Sequence, residues 1–252
     1  MFIRSKKETN SMEQIRTVQE LDVESSFLVE GLPGVGLVGQ IIVDHLNETL
    51  GMEYHAAVDC DSLPKVAVFE EGAHDVQHPV RLLADEENDL VVLQSDVPIS
   101  PNAEGFSDCL IGWMEDKDIT PLFVSGLPKK PEGVPSLFGI STGNGAELLG
   151  DIDPPKQGGV VSGPTGGLIQ EASDRGLDAV GLVVETDPKF PDPAAARVVV
   201  EKGIAPITGV DVDTSELVEK SEEIMEKKEQ LAKQMQDAKE ESTTATTTGM
   251  YQ

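Results

Sequence analysis

Basic residues are scarce in this chain of 252 residues. Lysine and arginine together number 19 against 46 aspartate and glutamate residues, which gives a formal net charge of -27. The acidic residues are spread along the chain, so its surface would repel the phosphates of a nucleic acid. Such a balance suits a protein that stays soluble in concentrated salt, where screening shortens electrostatic repulsion to a few ångströms. We therefore predict an acidic, halophilic protein that does not bind nucleic acid.

Long apolar runs and closely spaced cysteines are also missing. No uninterrupted apolar stretch approaches the length that crosses a bilayer, and residues 1–10 lack the apolar core of a signal peptide. These absences predict a cytoplasmic protein without membrane contacts. Cys60 and Cys109 are the only cysteines, and they lie in no paired spacing. We expect no disulfide and interpret both as small buried hydrophobic residues.

What the chain does have is an alternation of apolar stretches with helical patterns, which is typical of an α/β domain. Several strands are nearly continuous apolar runs, so the central sheet is predicted to be mostly buried and flanked by helices. The predicted strands are residues 26–30, 54–59, 65–69, 90–95, 122–125, 137–141, 159–162 and 179–185. The predicted helices are residues 37–50, 103–117, 146–149, 168–175 and 194–202. Asp192 is expected to cap the last of them, and Pro193 suits its first position.

Four segments are predicted along the chain. Residues 1–19 form an N-terminal extension, 20–213 the α/β domain, 214–241 a charged helical arm, and 242–252 a flexible tether with a terminal tail. In the arm, Leu217, Ile224 and Leu231 recur every seventh residue. This apolar stripe either pairs arms within an oligomer or belongs to a lone solvated helix. Residues 242–249 are serine, threonine, alanine and glycine, too polar to bury anything.

The last three residues are Met250, Tyr251 and Gln252. They place an apolar side chain, an amphipathic ring and an α-carboxylate at the end of the tether. Capture of a C-terminal carboxylate is a known mode of peptide recognition, in which the preceding side chains fill apolar pockets. The tail is therefore predicted to dock into another protein.

A glycine-rich loop offers an enzyme as the alternative. Gly34-Val35-Gly36-Leu37-Val38-Gly39 matches the dinucleotide fingerprint, and Asp59 follows Gly39 by twenty residues. However, Gly31-Leu32-Pro33 lengthens a turn that is normally tight, and Glu30 brings a carboxylate near the expected phosphates. Cofactor binding is therefore disfavoured, and close packing of backbones is the simpler role for these glycines.

Other motifs lack a part that their chemistry needs. Gly139-Ile140-Ser141-Thr142-Gly143 resembles a nucleophile elbow, but such hydrolases place the histidine after the serine, and every histidine here precedes Ser141. His74 and His78 have zinc-ligand spacing, but Gly72 and Pro79 argue against a helix there, and a surface loop is the better interpretation. The turn of residues 162–168 lacks the Gly-Lys-Ser/Thr end of a P-loop. We predict no catalytic residue, no metal and no cofactor.

Three segments together resemble the signatures of the PAC2 family, the archaeal and bacterial relatives of eukaryotic proteasome assembly chaperones. They are Gly31-Leu32-Pro33-Gly34-Val35-Gly36-Leu37-Val38-Gly39, Ser162-Gly163-Pro164-Thr165-Gly166-Gly167-Leu168 and Asp187-Pro188-Lys189-Phe190-Pro191-Asp192-Pro193-Ala194-Ala195-Ala196. The resemblance covers roughly residues 20–213. It implies an α/β domain of the nucleoside-phosphorylase type that forms homo-oligomers. The signature loop residues, with a structural or a ligand-binding role, are Gly31, Pro33, Gly34, Gly36, Gly39, Gly163 and Gly166.

The resemblance also implies a function for the tail. In proteasome activators a hydrophobic-Tyr-any tail inserts between α subunits of the 20S core. By resemblance, Met250 is the apolar residue, Tyr251 the gate residue and Gln252 the carrier of the carboxylate. The prediction is an assembly chaperone or gate-opening activator whose partners are 20S α subunits. Two alternatives stay open: a nucleotide- or nucleoside-binding enzyme that uses the loop of residues 31–39, and an adaptor that recruits substrates to the proteasome.

Overall fold

The computed structural model describes residues 14–60, 63–69, 72, 74–100 and 104–221. Eight strands form one sheet, and two short strands pair only with each other. The sheet strands, numbered along the chain, are β1 (Ile15–Thr17), β2 (Phe27–Gly31), β3 (Glu53–Val58), β6 (Val80–Asp85), β7 (Leu90–Ser95), β8 (Thr120–Pro128), β9 (Leu137–Thr142) and β10 (Ala179–Thr186). The separate hairpin consists of β4 (Val68–Phe69) and β5 (Val76–Gln77).

The sheet is mixed, with the order β1-β3-β6-β7-β2-β8-β10-β9. Its four middle strands, β7, β2, β8 and β10, are parallel. The outer strands β1, β3, β6 and β9 pair antiparallel to their neighbours. Every residue of β10 is buried, as a strand covered on both faces requires. The prediction of an α/β fold with a mostly buried central sheet is confirmed.

Helices cover both faces of the sheet. On one face α1 (Val38–Leu50) packs against α4 (Pro193–Val199), which continues through a π turn, Val200–Ile204, into α5 (Ala205–Thr208). On the other face α2 (Glu104–Asp116) packs against α3 (Gly163–Arg175). The capping predicted for α4 is present, because the Asp192 carboxylate accepts a hydrogen bond from Ala195 N at 3.1 Å.

Several predicted elements differ from the structure. The sequence prediction missed β6, whose apolar run is interrupted by Arg81; the structure buries Arg81 and pairs it with Asp96. It also missed β1, which lies in the predicted N-terminal extension and pairs with β3. Residues 159–162 are not a strand, and only Val68–Phe69 of the predicted strand 65–69 is extended, in the separate hairpin.

The prediction of no disulfide was wrong. Cys60 and Cys109 are bonded, with their Cα atoms 6.3 Å apart, although the predicted burial of both is confirmed. The sequence gives no sign of this pairing because the two residues are 49 positions apart. They meet because the end of β3 and helix α2 contribute to the same hydrophobic core. Among the helices of the described residues, none is long and apolar enough to cross a membrane.

Candidate functional site

The three signature segments meet at one edge of the sheet. The loop of residues 31–39 follows β2, the second signature begins α3, and the third connects β10 to α4. All three therefore lie at the carboxyl ends of the parallel strands, where ligands of open α/β sheets usually bind. The first and third are directly joined, since Asp192 N donates a hydrogen bond to Gly36 O at 2.9 Å.

A buried carboxyl group lies beneath this junction. Glu30, at the end of β2, is 1% exposed. One oxygen accepts hydrogen bonds from Leu32 N at 3.0 Å and Thr165 Oγ1 at 3.1 Å, and the other from Val124 N at 3.2 Å. Burial raises the pKa of Glu30 to about 7, although these hydrogen bonds favour its charged form. Glu30 therefore joins its own loop to β8 and to the first turn of α3.

The predicted glycines allow close packing in this loop. Gly36 has a φ of 68° and its α-carbon faces the Thr186 side chain, so a β-carbon there would be both strained and obstructed. A β-carbon on Gly39 would lie 3.2 Å from the carbonyl oxygen of Glu30. Gly31 faces the side chain of Val43, and Gly166 faces the carbonyl of Val161. Gly163 has a φ of 74° at the start of α3.

Two members of the predicted set differ from the others. Gly34 is exposed and has no close neighbour on its β-carbon side, and Pro33 is partly exposed. They form the outer part of the loop, next to the exposed side chains of Val35 and Leu37. The loop therefore presents apolar side chains outward, while its inner glycines pack against the domain.

The dinucleotide interpretation needs an acidic residue beside the glycine loop. In that fingerprint the acidic residue contacts the ribose of a cofactor bound at the loop. Here Asp59 follows β3, and two strands, β6 and β7, separate β3 from β2. Its carboxylate is bonded to Lys65. The spacing of twenty residues therefore does not bring Asp59 to the loop.

The comparison with known proteins identifies the family and its fold. The family model described as the PAC2 family matches residues 28–232. This chain belongs to the PAC2 family. An uncharacterized protein of Methanocaldococcus jannaschii is 30% identical over 222 residues, covering 85% of this chain and 89% of that protein.

Solved structures extend the likeness. Pyrococcus furiosus PbaA, an archaeal homolog of proteasome-assembly chaperone, superposes with a TM-score of 0.73 at 26% identity, covering 92% of this chain and 97% of PbaA. Pyrococcus furiosus PbaB, an archaeal proteasome activator, has a TM-score of 0.70 at 19% identity over 86% and 98% of the two chains. At 19% identity, the similarity to PbaB is a similarity of fold alone.

The start of the predicted arm is anchored on the PAC2 domain. A helix begins at residue 215, and Leu217 is fully buried in the core that α1 and α4 share. His45 Nε2 lies 2.8 Å from the carbonyl oxygen of Asp213, and its Nδ1 lies 3.8 Å from Glu216 Oε2. Leu217 is therefore unavailable for a stripe that pairs arms. Ile224, Leu231 and the predicted docking residues Met250, Tyr251 and Gln252 lie outside the described residues.

The remaining sequence motifs form no site in the part of the chain that the structure describes. His74 is exposed, and His78 contacts Arg16 and Tyr54 at 3.3 Å and 3.5 Å. No group of three potential metal ligands occurs among the described residues. Ser141 lies on the edge strand β9, whereas His55 lies on β3 near the opposite edge of the sheet.

Sequence reasoning missed the two groups that organise this region. It noted Glu30 as an obstacle to phosphate, but not as the acceptor for three hydrogen bonds. It read His45 as one of several residues that recur at helical spacing in α1, but not as the residue that contacts the start of the arm. A glutamate at the end of an otherwise apolar strand is the only signal that the sequence offered for the first.

Proposed function

We propose that this PAC2 protein is a cytoplasmic, homo-oligomeric assembly chaperone or activator of the proteasome. In this proposal it docks Met250, Tyr251 and Gln252 into the α ring of a 20S core. The observation that supports it best is the likeness to PbaA, which is named a homolog of a proteasome-assembly chaperone and matches over 92% of this chain.

The geometry of the signature site favours binding over catalysis. Both oxygens of the Glu30 carboxylate accept hydrogen bonds from the chain itself, and Glu30 is 1% exposed. A general base needs to reach the proton that it removes from a substrate. An enclosed carboxyl group with these partners suits the structural role of joining its loop to β8 and α3. A docking protein needs such a role more than it needs a catalytic group.

Flexible tails can bind a ring strongly when several hang from one oligomer. The eight residues 242–249 span on the order of 25 Å when extended. Each docking event after the first is intramolecular, so several weak tails together bind tightly. The start of the arm packs on the domain through Leu217, so it fixes where the arm leaves the domain.

The test is peptide hydrolysis by purified 20S proteasome in high salt, together with co-sedimentation. The full chain is compared with a version that lacks residues 250–252 and with Thr247→Ala, a matched change within the tether. We expect the full chain and Thr247→Ala to bind and to stimulate hydrolysis, and the shortened chain to do neither. Binding without stimulation favours assembly or substrate recruitment. If the full chain does not bind, the proposal fails.

The enzyme alternative has its own test. A ligand that binds only the folded protein raises its melting temperature. A thermal-shift screen of nucleosides and nucleotides against wild type and Gly36→Val addresses the loop of residues 31–39. We expect no shift for either protein, and a shift that occurs only in wild type would favour the enzyme.

A further inference from the structure

A buried nitrogen of His45 has no hydrogen-bond partner. In the part of the chain that the structure describes, His45 Nδ1 is the one buried side-chain nitrogen or oxygen atom without such a partner. His45 lies in α1 and is 1% exposed. Leaving a buried polar atom unpaired costs free energy, so such atoms are rare in folded proteins. His45 Nδ1 faces the start of the arm, residues 213–221, and the contacts there give it a role.

The second ring nitrogen decides where the proton of the neutral ring lies. His45 Nε2 is 2.8 Å from the main-chain oxygen of Asp213, and a carbonyl oxygen can only accept a hydrogen bond. Nε2 therefore carries the proton, and Nδ1 of the neutral ring is an acceptor. The atom that Nδ1 faces is also an acceptor, Glu216 Oε2 at 3.8 Å. In the neutral ring, two acceptors thus face each other with no proton between them.

A second proton on the ring removes this mismatch. When Nδ1 takes up a proton from solvent, Nε2 still donates to Asp213 O, and the new N–H is directed toward the Glu216 carboxylate. An ion pair then replaces the two facing acceptors, and charged partners make the stronger contacts. Both acceptors belong to the start of the arm, whereas His45 belongs to the domain. The protonated ring therefore holds the start of the arm more firmly than the neutral ring does.

The charged groups around His45 are mostly carboxylates. On the elements that pack around it they are Asp213, Glu216 and Lys220 at the start of the arm, Asp44 and Glu48 on α1, and Arg197, Glu201 and Lys202 on α4 and the π turn. Lys220 lies 2.7 Å from Glu216 and 3.7 Å from Glu48. Arg197 pairs with Glu201 at 2.8 Å, and Asp44 accepts a hydrogen bond from Gln94. Beneath α1, the sheet contributes apolar residues such as Val92 to the shared core.

We propose that His45 is a pH-sensitive latch that holds the start of the arm on the domain. Protonated His45 contacts both Asp213 O and the Glu216 carboxylate, whereas neutral His45 donates only to Asp213 O. Histidine ordinarily changes its charge between pH 5 and 8. Because the seated arm supplies the partner of the added proton, seating is favoured as the pH falls and weakened as it rises. The ion pair is short and partly buried, so concentrated salt screens it less than a surface pair.

The latch controls where the arm leaves the domain. With the latch closed, Leu217 is seated in the core that α1 and α4 share. With the latch open, the chain is free from residue 214, and four freed residues add up to about 13 Å of reach. This inference concerns only the domain and the start of the arm, so it does not rest on docking to the proteasome.

The test is hydrogen exchange of the full chain, read by mass spectrometry on peptides that cover residues 213–221. Exchange of these amides reports local opening of the arm. It is measured in high salt at about pH 5.5 and about pH 8, and each rate is divided by that of the unstructured peptide at the same pH. For wild type, we expect protection of the start of the arm to be about fivefold higher at the lower pH.

Two variants assign this pH dependence to the latch. Glu216→Gln removes the charge that faces Nδ1, and His45→Gln keeps an N–H for Asp213 O but cannot take up a proton. Both are expected to lose the fivefold change. Glu219→Gln removes an exposed carboxylate from the same helix and is the matched control, which should keep the change. Since Glu216 also pairs with Lys220, Lys220→Gln is a second control and should keep it too.

The variants also separate the latch from Glu30, which titrates in the same pH range and is present in all of them. Equal protection of wild type at the two pH values, or higher protection at the higher pH, would overturn the inference. So would a fivefold change that persists in Glu216→Gln. Should His45→Gln not fold, Glu216→Gln decides by itself, because the Glu216 side chain is 45% exposed and its replacement leaves the core intact.

Discussion

At the scale of single residues, Glu30 links stability to pH. Its pKa is raised to about 7 by burial, above the ordinary value of 4.5, so the folded state binds a proton more tightly than the unfolded state does. Because this proton favours the folded state, the stability that it contributes is fully present below the unfolded pKa and is lost as the pH rises through about 7. Ionisation of Glu30 therefore costs stability on the order of 3 kcal/mol at alkaline pH.

Glu30→Gln removes this titration. Because the amide nitrogen cannot accept a hydrogen bond, one backbone donor loses its partner, and the variant is expected to be less stable by about 1–3 kcal/mol near pH 5. That deficit is expected to shrink as the pH rises to about 8, since only wild type then bears the cost of a buried charge. Urea unfolding of both proteins across this range measures the difference.

A second carboxylate provides the control for this prediction. Lys129 lowers the pKa of Glu185, so Glu185 stays ionised over the same range. The stability difference between wild type and Glu185→Gln is therefore expected to be constant there. A constant difference for Glu30→Gln as well would show that Glu30 does not titrate between these pH values.

At the scale of elements, the disulfide ties Cys60, just after β3, to Cys109 of α2 across 49 positions. Closing a loop of this length restricts the unfolded chain and is expected to stabilise the fold by about 2–4 kcal/mol. Reduction should therefore lower the melting temperature of wild type by several degrees. The double variant Cys60→Ser with Cys109→Ser is the control, because its melting temperature should be low and insensitive to reductant. Equal melting temperatures of wild type with and without reductant would contradict the prediction.

The start of the arm offers a second prediction at this scale. Leu217 is 0% exposed and packs in the core under α1 and α4. Leu217→Ala is expected to destabilise the domain by about 2–5 kcal/mol in urea unfolding. Glu219→Ala, an exposed neighbour on the same helix, should change stability little. If the two variants behave alike, Leu217 is free in solution and the stripe that pairs arms becomes the better interpretation.

The elements also show what sequence patterns can and cannot reveal. The buried parallel strands and the capped start of α4 were predictable, because apolar runs and capping residues act locally. Strand β6 was missed because Arg81 interrupts its pattern, and tertiary contacts such as the pair with Asp96 make the burial of Arg81 tolerable. Asp59 had the spacing of a cofactor ligand but lies beyond two intervening strands. Such errors arise because strand order depends on contacts between distant parts of the chain.

In the candidate site, too, local sequence patterns were predictable and contacts between distant residues were not. The resemblance of three signature segments, two of them rich in glycine, identified the family, and the structure brings those segments to one edge of the sheet. The hydrogen bonds that join Glu30 to Thr165 and Val124 were not predictable, since they link residues separated by 135 and 94 positions. The distribution of exposed apolar residues along that edge likewise became visible only in three dimensions.

At the scale of the whole molecule, the net charge of -27 predicts a dependence on salt. Like charges on a compact surface repel each other and destabilise the folded state, while the expanded chain relieves that repulsion. The screening length is about 10 Å at 0.1 M salt and about 3 Å at 1 M, so molar salt suppresses all but the closest repulsions. The melting temperature is therefore expected to fall as KCl is withdrawn, with loss of far-ultraviolet circular dichroism at the lowest salt.

A non-ionic osmolyte separates screening from general stabilisation. Sucrose favours compact states because it is excluded from protein surfaces, but it does not screen charge. The sucrose and KCl concentrations are matched by their equal effect on an uncharged reference protein. If repulsion limits stability, sucrose at low salt should then restore less of the melting temperature than KCl does. Reversing a few exposed acidic residues far from the carboxyl edge to lysine should reduce the salt dependence in proportion to the charge removed. An unchanged spectrum and melting temperature without salt would contradict the halophilic interpretation, because a chain of this charge would then be stable without screening.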